Sequence, residues 1–142
     1  MKVKDIMTGR VVSVGPSTSI TETARKMRDE KVGSVLVVKR GKLVGLITDR
    51  QITHTAVAEG LDPNKVTVEE YMTEDFVPLT PDMDLVKAAK LMQELAIRRL
   101  PVVEAGRPVG ILSVSDIAFF VKDCIDCILV EGGVRVTRRK KK

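Results

Sequence analysis

Apolar residues come along this chain in short blocks whose spacing switches between the two periods of regular structure. Val11 to Val14 read as a short strand, broken by Pro16 and Ser17. Ser19, with Glu22 three residues on, forms a capping-box pattern, and Ile20, Ala24, Met27 and Lys31 then follow at helical spacing. Val35 to Val38 and Leu43 to Ile47 flank Lys39-Arg40-Gly41-Lys42, which predicts a tight hairpin. A second helix is predicted from about Asp49 to Glu59, stopped by Gly60 and Pro63. The same order then recurs: a strand at Phe76 to Leu79, a helix from Asp84 to Leu95, strands at Leu100 to Val103 and Val109 to Leu112 around Glu104 to Pro108, and a helix from Ser115 to Lys122.

Sliding the chain against itself by 65 residues aligns positions 6–52 with 71–117 without a gap, and twelve of the 47 pairs are identical. Met7-Thr8 falls on Met72-Thr73, Met27 on Met92, Val37-Val38 on Val102-Val103, Val44-Gly45 on Val109-Gly110, and Ile52 on Ile117. The chain is therefore two copies of one β-α-β-β-α unit. The expected fold is α/β (α+β), with a first unit at 1–64, a second at 65–123 and a C-terminal segment at 124–142. A single unit leaves one sheet face bare, so two are expected to pack sheet to sheet about an approximate twofold axis, enclosing two equivalent clefts.

Three features of the repeat carry a resemblance to a known family. They are the duplicated Met-Thr opening, the strand Arg98-Arg99-Leu100-Pro101-Val102-Val103, and an ending of Gly, two apolar residues, Thr or Ser, two residues and Asp-Ile. That ending is Gly110-Ile111-Leu112-Ser113-Val114-Ser115-Asp116-Ile117 in the second copy and Gly45-Leu46-Ile47-Thr48-Asp49-Arg50-Gln51-Ile52 in the first. Over residues 2–123 the chain resembles a tandem CBS domain pair, or Bateman module. The resemblance implies a non-enzymatic regulatory module that binds AMP, ADP, ATP or S-adenosylmethionine without a metal and modulates an unidentified partner protein.

The ending also has chemistry of its own. A strand that stops at Ser113 and turns into a helix at Asp116 aims free backbone N–H groups and a positive dipole end at the cleft. The Asp116 carboxylate can accept from a ribose diol, and Ser113 and Ser115 offer hydroxyls; a plain helix cap is the competing reading. Family resemblance implies crosswise sharing, which puts Ser113, Ser115 and Asp116 with the backbone near Val12 and with Gly33-Ser34. The same rule puts Arg98 and Arg99 with Thr48 and Arg50, as phosphate-binding guanidinium groups. Gln51 stands where the family pattern has Asp, which weakens the first-copy site. Asp49 reads as a capping or solvated residue and His54 as a surface one.

Composition narrows the alternatives. The net charge is +5, but Arg135 and Arg138 to Lys142 supply six positive charges in the last eight residues, and the remaining 134 carry 18 basic and 19 acidic groups. Only the tail is basic. It offers a nucleic acid an unspecific electrostatic contact, and Ile128 to Val130 and Val134 to Val136 around Glu131-Gly132-Gly133 suggest a hairpin to carry it. Cys124 and Cys127 form one CxxC with a single distant histidine, too few ligands for a closed zinc site, and read as partly buried, inert thiols at the end of a helical pattern. No apolar run approaches the roughly 20 residues of a membrane span, and no secretory leader pattern follows Met1, so a cytoplasmic location without membrane contact is expected. No nucleophile with a base and no carboxylate pair falls in one predicted cleft. The family resemblance implies a homodimer paired through outward helices; the apolar run Ile117 to Val121 is too wide for one buried helix face and calls for such a cover, which the C-terminal segment could instead supply within the chain.

Overall fold

The computed structural model describes residues 1–131. Its regular elements are β1 (Ser13–Val14), α1 (Ile20–Glu30), β2 (Ser34–Lys39), β3 (Lys42–Thr48), α2 (Asp49–Ile52), α3 (Leu85–Glu94), β4 (Arg99–Glu104), β5 (Arg107–Ser113) and α4 (Val114–Glu131). Single 3-10 turns at Val3–Asp5 and Val68–Glu70 sit 65 residues apart, so the repeat extends upstream of the strands. β1 pairs parallel with β2, and β2 antiparallel with β3; β4 and β5 form a separate antiparallel pair.

Helix α1 starts where Ser19 Oγ accepts the Glu22 N–H at 3.1 Å and ends at Lys31, which takes a left-handed conformation with φ 56°. Its buried stripe is Ile20, Thr23 and Met27. Ala24 and Lys31, predicted on that stripe, are exposed. Thr23 takes the place of Ala24 because its hydroxyl donates back to the Ser19 carbonyl at 2.9 Å and so enters the core satisfied.

The predicted strand Phe76 to Leu79 does not form. Pro78 stands where β1 has Ser13, and Pro101 where β2 has Leu36, the two residues paired in the first copy. Leu36 donates its N–H to the Val12 carbonyl; Pro101 has no N–H to give Val77. An isolated bridge, Leu79 to Val102, is what survives.

α4 does not stop near Lys122. It continues to Glu131, held across the expected break by Lys122 Nζ to Asp126 Oδ2 at 2.7 Å. Ile128, Leu129 and Val130 are helical, which removes one arm of the expected hairpin; Val134 to Val136 and the basic tail lie outside the described residues. Cys124 and Cys127 consequently lie within a helix, and Cys127 is exposed rather than partly buried. The first-copy counterpart is shorter. After Ile52 the hydroxyls of Thr53 and Thr55 donate back to the carbonyls of Asp49 and Gln51, the helix widens into a π-turn at Thr53–Val57, and Gly60 ends it at φ 68°.

Two hydrophobic cores result. One gathers Ile20, Met27, Val35, Val37 and Ile47 with Val68; the other gathers Leu85, Met92, Leu100 and Leu112 with Val3. Each copy thus contributes its leading segment to the other's core. Reciprocal contacts describe the twofold relation directly: Thr8 bridges Ile111 while Thr73 bridges Leu46, and Lys2 bridges Asp84 while Thr67 bridges Ser19. Gly110 and Gly45 let the methionines of the two Met-Thr openings approach. A Cβ at Gly110 would lie 2.7 Å from Met7 Sδ and 2.8 Å from the Thr8 carbonyl oxygen, and one at Gly45 would run into Met72.

Candidate functional site

The ends of β3 and β5, with the starts of β2 and β4, converge where the two copies face each other. Ser34 pairs with Thr48, and Arg99 with Ser113, in matching registers. The Asp49 N–H donates to the Gly33 carbonyl and the Val114 N–H to the Arg98 carbonyl, both at 3.0 Å, so each helix begins alongside the start of its neighbouring strand.

Both helix starts carry a reciprocal cap. In the second copy Asp116 N–H donates to Ser113 Oγ at 3.1 Å and Ser113 N–H to Asp116 Oδ2 at 2.8 Å. In the first, Gln51 N–H donates to Thr48 Oγ1 at 3.1 Å and Thr48 N–H to Gln51 Oε1 at 2.9 Å. The capping reading is therefore realised at both positions. What differs is the remaining end of the side chain. Gln51 Nε2 donates to Thr73 Oγ1 at 2.8 Å, which ties α2 to the opening of the second copy and uses both ends of the amide. The Asp116 carboxylate, half-buried, has its second oxygen outside the cap, and among the described residues that oxygen takes no hydrogen bond.

Of the other predicted residues, Ser34 and Val12 are buried, and the Val12 carbonyl is taken by the Leu36 N–H. Ser115 and Arg50 are exposed. Arg98 and Arg99 part company. Arg98 lines a groove of about 510 Å³ between α3 and α4, with Met92, Gln93, Ile97, Val114 and Ile117, on the flank of the second copy. Arg99 reaches across to the first copy, where its Nη1 lies 2.8 Å from the position a Gly33 Cβ would take. Asp49, read in the sequence as capping or solvated, is exposed and accepts the Arg50 N–H at 2.8 Å; what sequence reasoning missed is its approach to Gly33, with Oδ2 3.2 Å from that same position. The adjacency of Gly33 and Asp49 across a strand pair was a signal the hairpin register could have supplied.

The CBS domain matches this chain twice, at residues 3–57 and 68–123. The chain belongs to the CBS domain family. Relatives of similar size include the CBS domain-containing protein YhcV of Bacillus subtilis (strain 168), 40% identical over 116 residues that cover 82% of each chain. Among solved structures, the CBS domain pair of protein MJ0100, in complex with 5-methylthioadenosine and S-adenosyl-L-methionine, superposes with a TM-score of 0.78 at 31% identity, covering 87% of this chain and 98% of that one. Hypoxic Response Protein I, solved with two coordinated zinc ions, gives 0.75 at 31% identity over 84% of this chain and 98% of its own. The two matched CBS domains account for the repeat of 65 residues, and no helix of the described residues is long and apolar enough to cross a membrane. Among those residues no group of three or more His, Cys, Asp or Glu is placed to hold a metal ion.

Proposed function

We propose that this CBS pair is a non-catalytic regulatory module that binds an adenosine-containing ligand between its copies, with Asp116 as the principal ribose contact. The observation that carries this reading is the unequal use of the two capping side chains. Gln51 spends its amide on Thr48 and Thr73, whereas Asp116 keeps a carboxylate oxygen available beside the N-terminus of α4. A hydrogen bond from a hydroxyl to a charged acceptor contributes about 1.5–3 kcal/mol, or roughly ten-fold to over a hundred-fold in affinity. Ser113 and Ser115 add hydroxyls, and the start of α4 adds a dipole end suited to an anion. The adenosine ligands of the MJ0100 pair, a protein of the same family and fold, support the ligand class. A calorimetric screen of AMP, ADP, ATP and S-adenosylmethionine tests the reading; binding of none of them would overturn it.

The outer surface of α4 supports a homodimer. Ile117 and Phe120 pack into the second core, but Phe119, Val121, Ile125 and Ile128 are exposed, Phe119 by 67% and Ile128 by 68%. Apolar surface of this extent on one helix calls for a cover, and a second copy of the same helix supplies a matching one. Light scattering at micromolar concentration decides the matter; a monomeric mass would reject the dimer. The regulated protein would read the ligand through the packing of the two copies.

A further inference from the structure

Charge is one respect in which the twofold relation of the copies fails. Asp49, on the first turn of α2, is fixed twice: its N–H donates to the Gly33 carbonyl at 3.0 Å, and its Oδ1 accepts the Arg50 N–H at 2.8 Å. Its other oxygen, Oδ2, is thereby aimed at the space beside Gly33, 3.2 Å from where a Cβ would be. Arg99 arrives at the same space from the second copy, its Nη1 2.8 Å from that point. Any side chain at position 33 would displace the guanidinium, so glycine is the condition for the approach. The positions related by the repeat are Arg98 for Gly33, Ser34 for Arg99 and Val114 for Asp49, so this meeting of opposite charges beside Gly33 has no counterpart in the repeat. Arg99 is also the ladder partner of Ser113, the residue that caps Asp116, so the pair stands at the same end of the molecule as the proposed ribose contact.

We infer that Arg99 and Asp49 together recognise the zwitterionic amino-acid end of a ligand of the S-adenosylmethionine class, in preference to a bare phosphate chain. The inference rests on the adenosine reading above and adds the chemistry of the ligand's other end. A guanidinium alone would favour phosphate, which it binds in a two-pronged fashion. Here a phosphate drawn to Arg99 comes up against the fixed Asp49 carboxylate, and like charges in such proximity repel. A ligand carrying a carboxylate and an ammonium meets both groups with opposite charge. Arg98, turned to the groove between α3 and α4, is directed elsewhere. Arg50 adds an exposed cation that offsets part of the repulsion, which sets the expected discrimination at about ten-fold rather than more.

The experiment is calorimetry on the full chain with S-adenosylmethionine, ATP, S-adenosylhomocysteine, which keeps the amino acid on a neutral sulfur, and 5′-methylthioadenosine, which has a neutral sulfur and no amino acid. The parent should bind S-adenosylmethionine and S-adenosylhomocysteine about ten-fold more tightly than ATP or methylthioadenosine. Asp49→Asn keeps the bond from the Arg50 N–H and should erase that advantage while tightening ATP, and Arg99→Gln should weaken S-adenosylmethionine without changing methylthioadenosine. Equal affinity of the parent for S-adenosylhomocysteine and methylthioadenosine would overturn the inference, as would an unchanged ratio in a folded Asp49→Asn protein. Either result leaves the adenosine reading standing; binding of none of the four would overturn the inference, and binding of neither AMP nor ADP as well would overturn both.

Discussion

The two copies of the repeat share a frame and differ in how each finishes its polar ends. Thr48 with Gln51 and Ser113 with Asp116 make the same reciprocal cap, yet the first is closed by Thr73 and the second is left with an oxygen to offer. β1 gives the first copy a third strand that two prolines deny the second. The duplicated sequence thus closes one cap on an internal partner and leaves the other with a carboxylate oxygen that takes no hydrogen bond among the described residues. The caps are equivalent by symmetry and unequal by chemistry, and under the proposed function single substitutions should exchange the two conditions.

The largest effects should come from the segments that the copies exchange. Val3 and Val68, equivalent and both fully buried in the core of the opposite copy, should each cost about 2 kcal/mol when changed to Ala, measured by urea unfolding. A much smaller loss for Val3→Ala than for Val68→Ala would show that the N-terminal exchange is dispensable. Next come the two glycines under the methionines. Gly110→Ala meets the Thr8 backbone oxygen at 2.8 Å, which cannot swing aside, and should cost about 2 kcal/mol; Gly45→Ala meets only the Met72 side chain and should cost about 1 kcal/mol. Equal losses would mean that both openings shift as rigid pieces.

A third substitution tests the closed half itself. Gln51→Asp removes the bond to Thr73 and should lower stability by about 1 kcal/mol, while strengthening the weaker binding event about ten-fold. Loss of stability with no gain in binding would separate the cap from the ligand. The smallest effect concerns an ion-pair cluster found in one copy only. Asp82 takes Lys2 and Lys4 at 3.0 Å each, where the positions related by the repeat hold Ser17, Thr67 and Glu69. The hydrogen bond from Lys4, then that from Lys2, lowers the pKa of Asp82 below the usual carboxylate value. A depressed folded pKa gives stability that is present above the unfolded value of about 3.9 and is lost as pH falls through the folded one. Asp82→Ser should therefore narrow slightly the stability difference between neutral and strongly acid solution, and only at low salt, because the whole cluster is exposed.

Much of this architecture was legible in the sequence because duplication reports itself: one period of 65 residues brings Met7, Gly45 and Ile52 onto Met72, Gly110 and Ile117. Hairpin and helix periodicities placed β2 to β5, and Ser19 and Asp84 marked the helix starts. The misses have physical causes. Phe76 to Leu79 is apolar enough for a strand, but the donors it needs are missing at Pro78 and Pro101. Lys122-Asp123 looked like a helix end, yet an i,i+4 pair carries α4 past it, and the first glycine beyond is Gly132. Exchange of the leading segments was hidden because burial of Val3 depends on contacts with residues some eighty positions away. The convergence of Arg99 and Asp49 is likewise a property of the assembled copies and of neither strand alone.

The asymmetry is tested most directly by calorimetric titration of Asp116→Ala beside the parent, with adenine nucleotides and S-adenosylmethionine. The substitution should weaken the tighter binding event by about ten-fold to a hundred-fold, while a thermal unfolding transition of unchanged cooperativity shows that the fold is kept. An Asp116→Ala protein that binds these ligands as tightly as the parent would contradict the account and leave Asp116 as a helix cap.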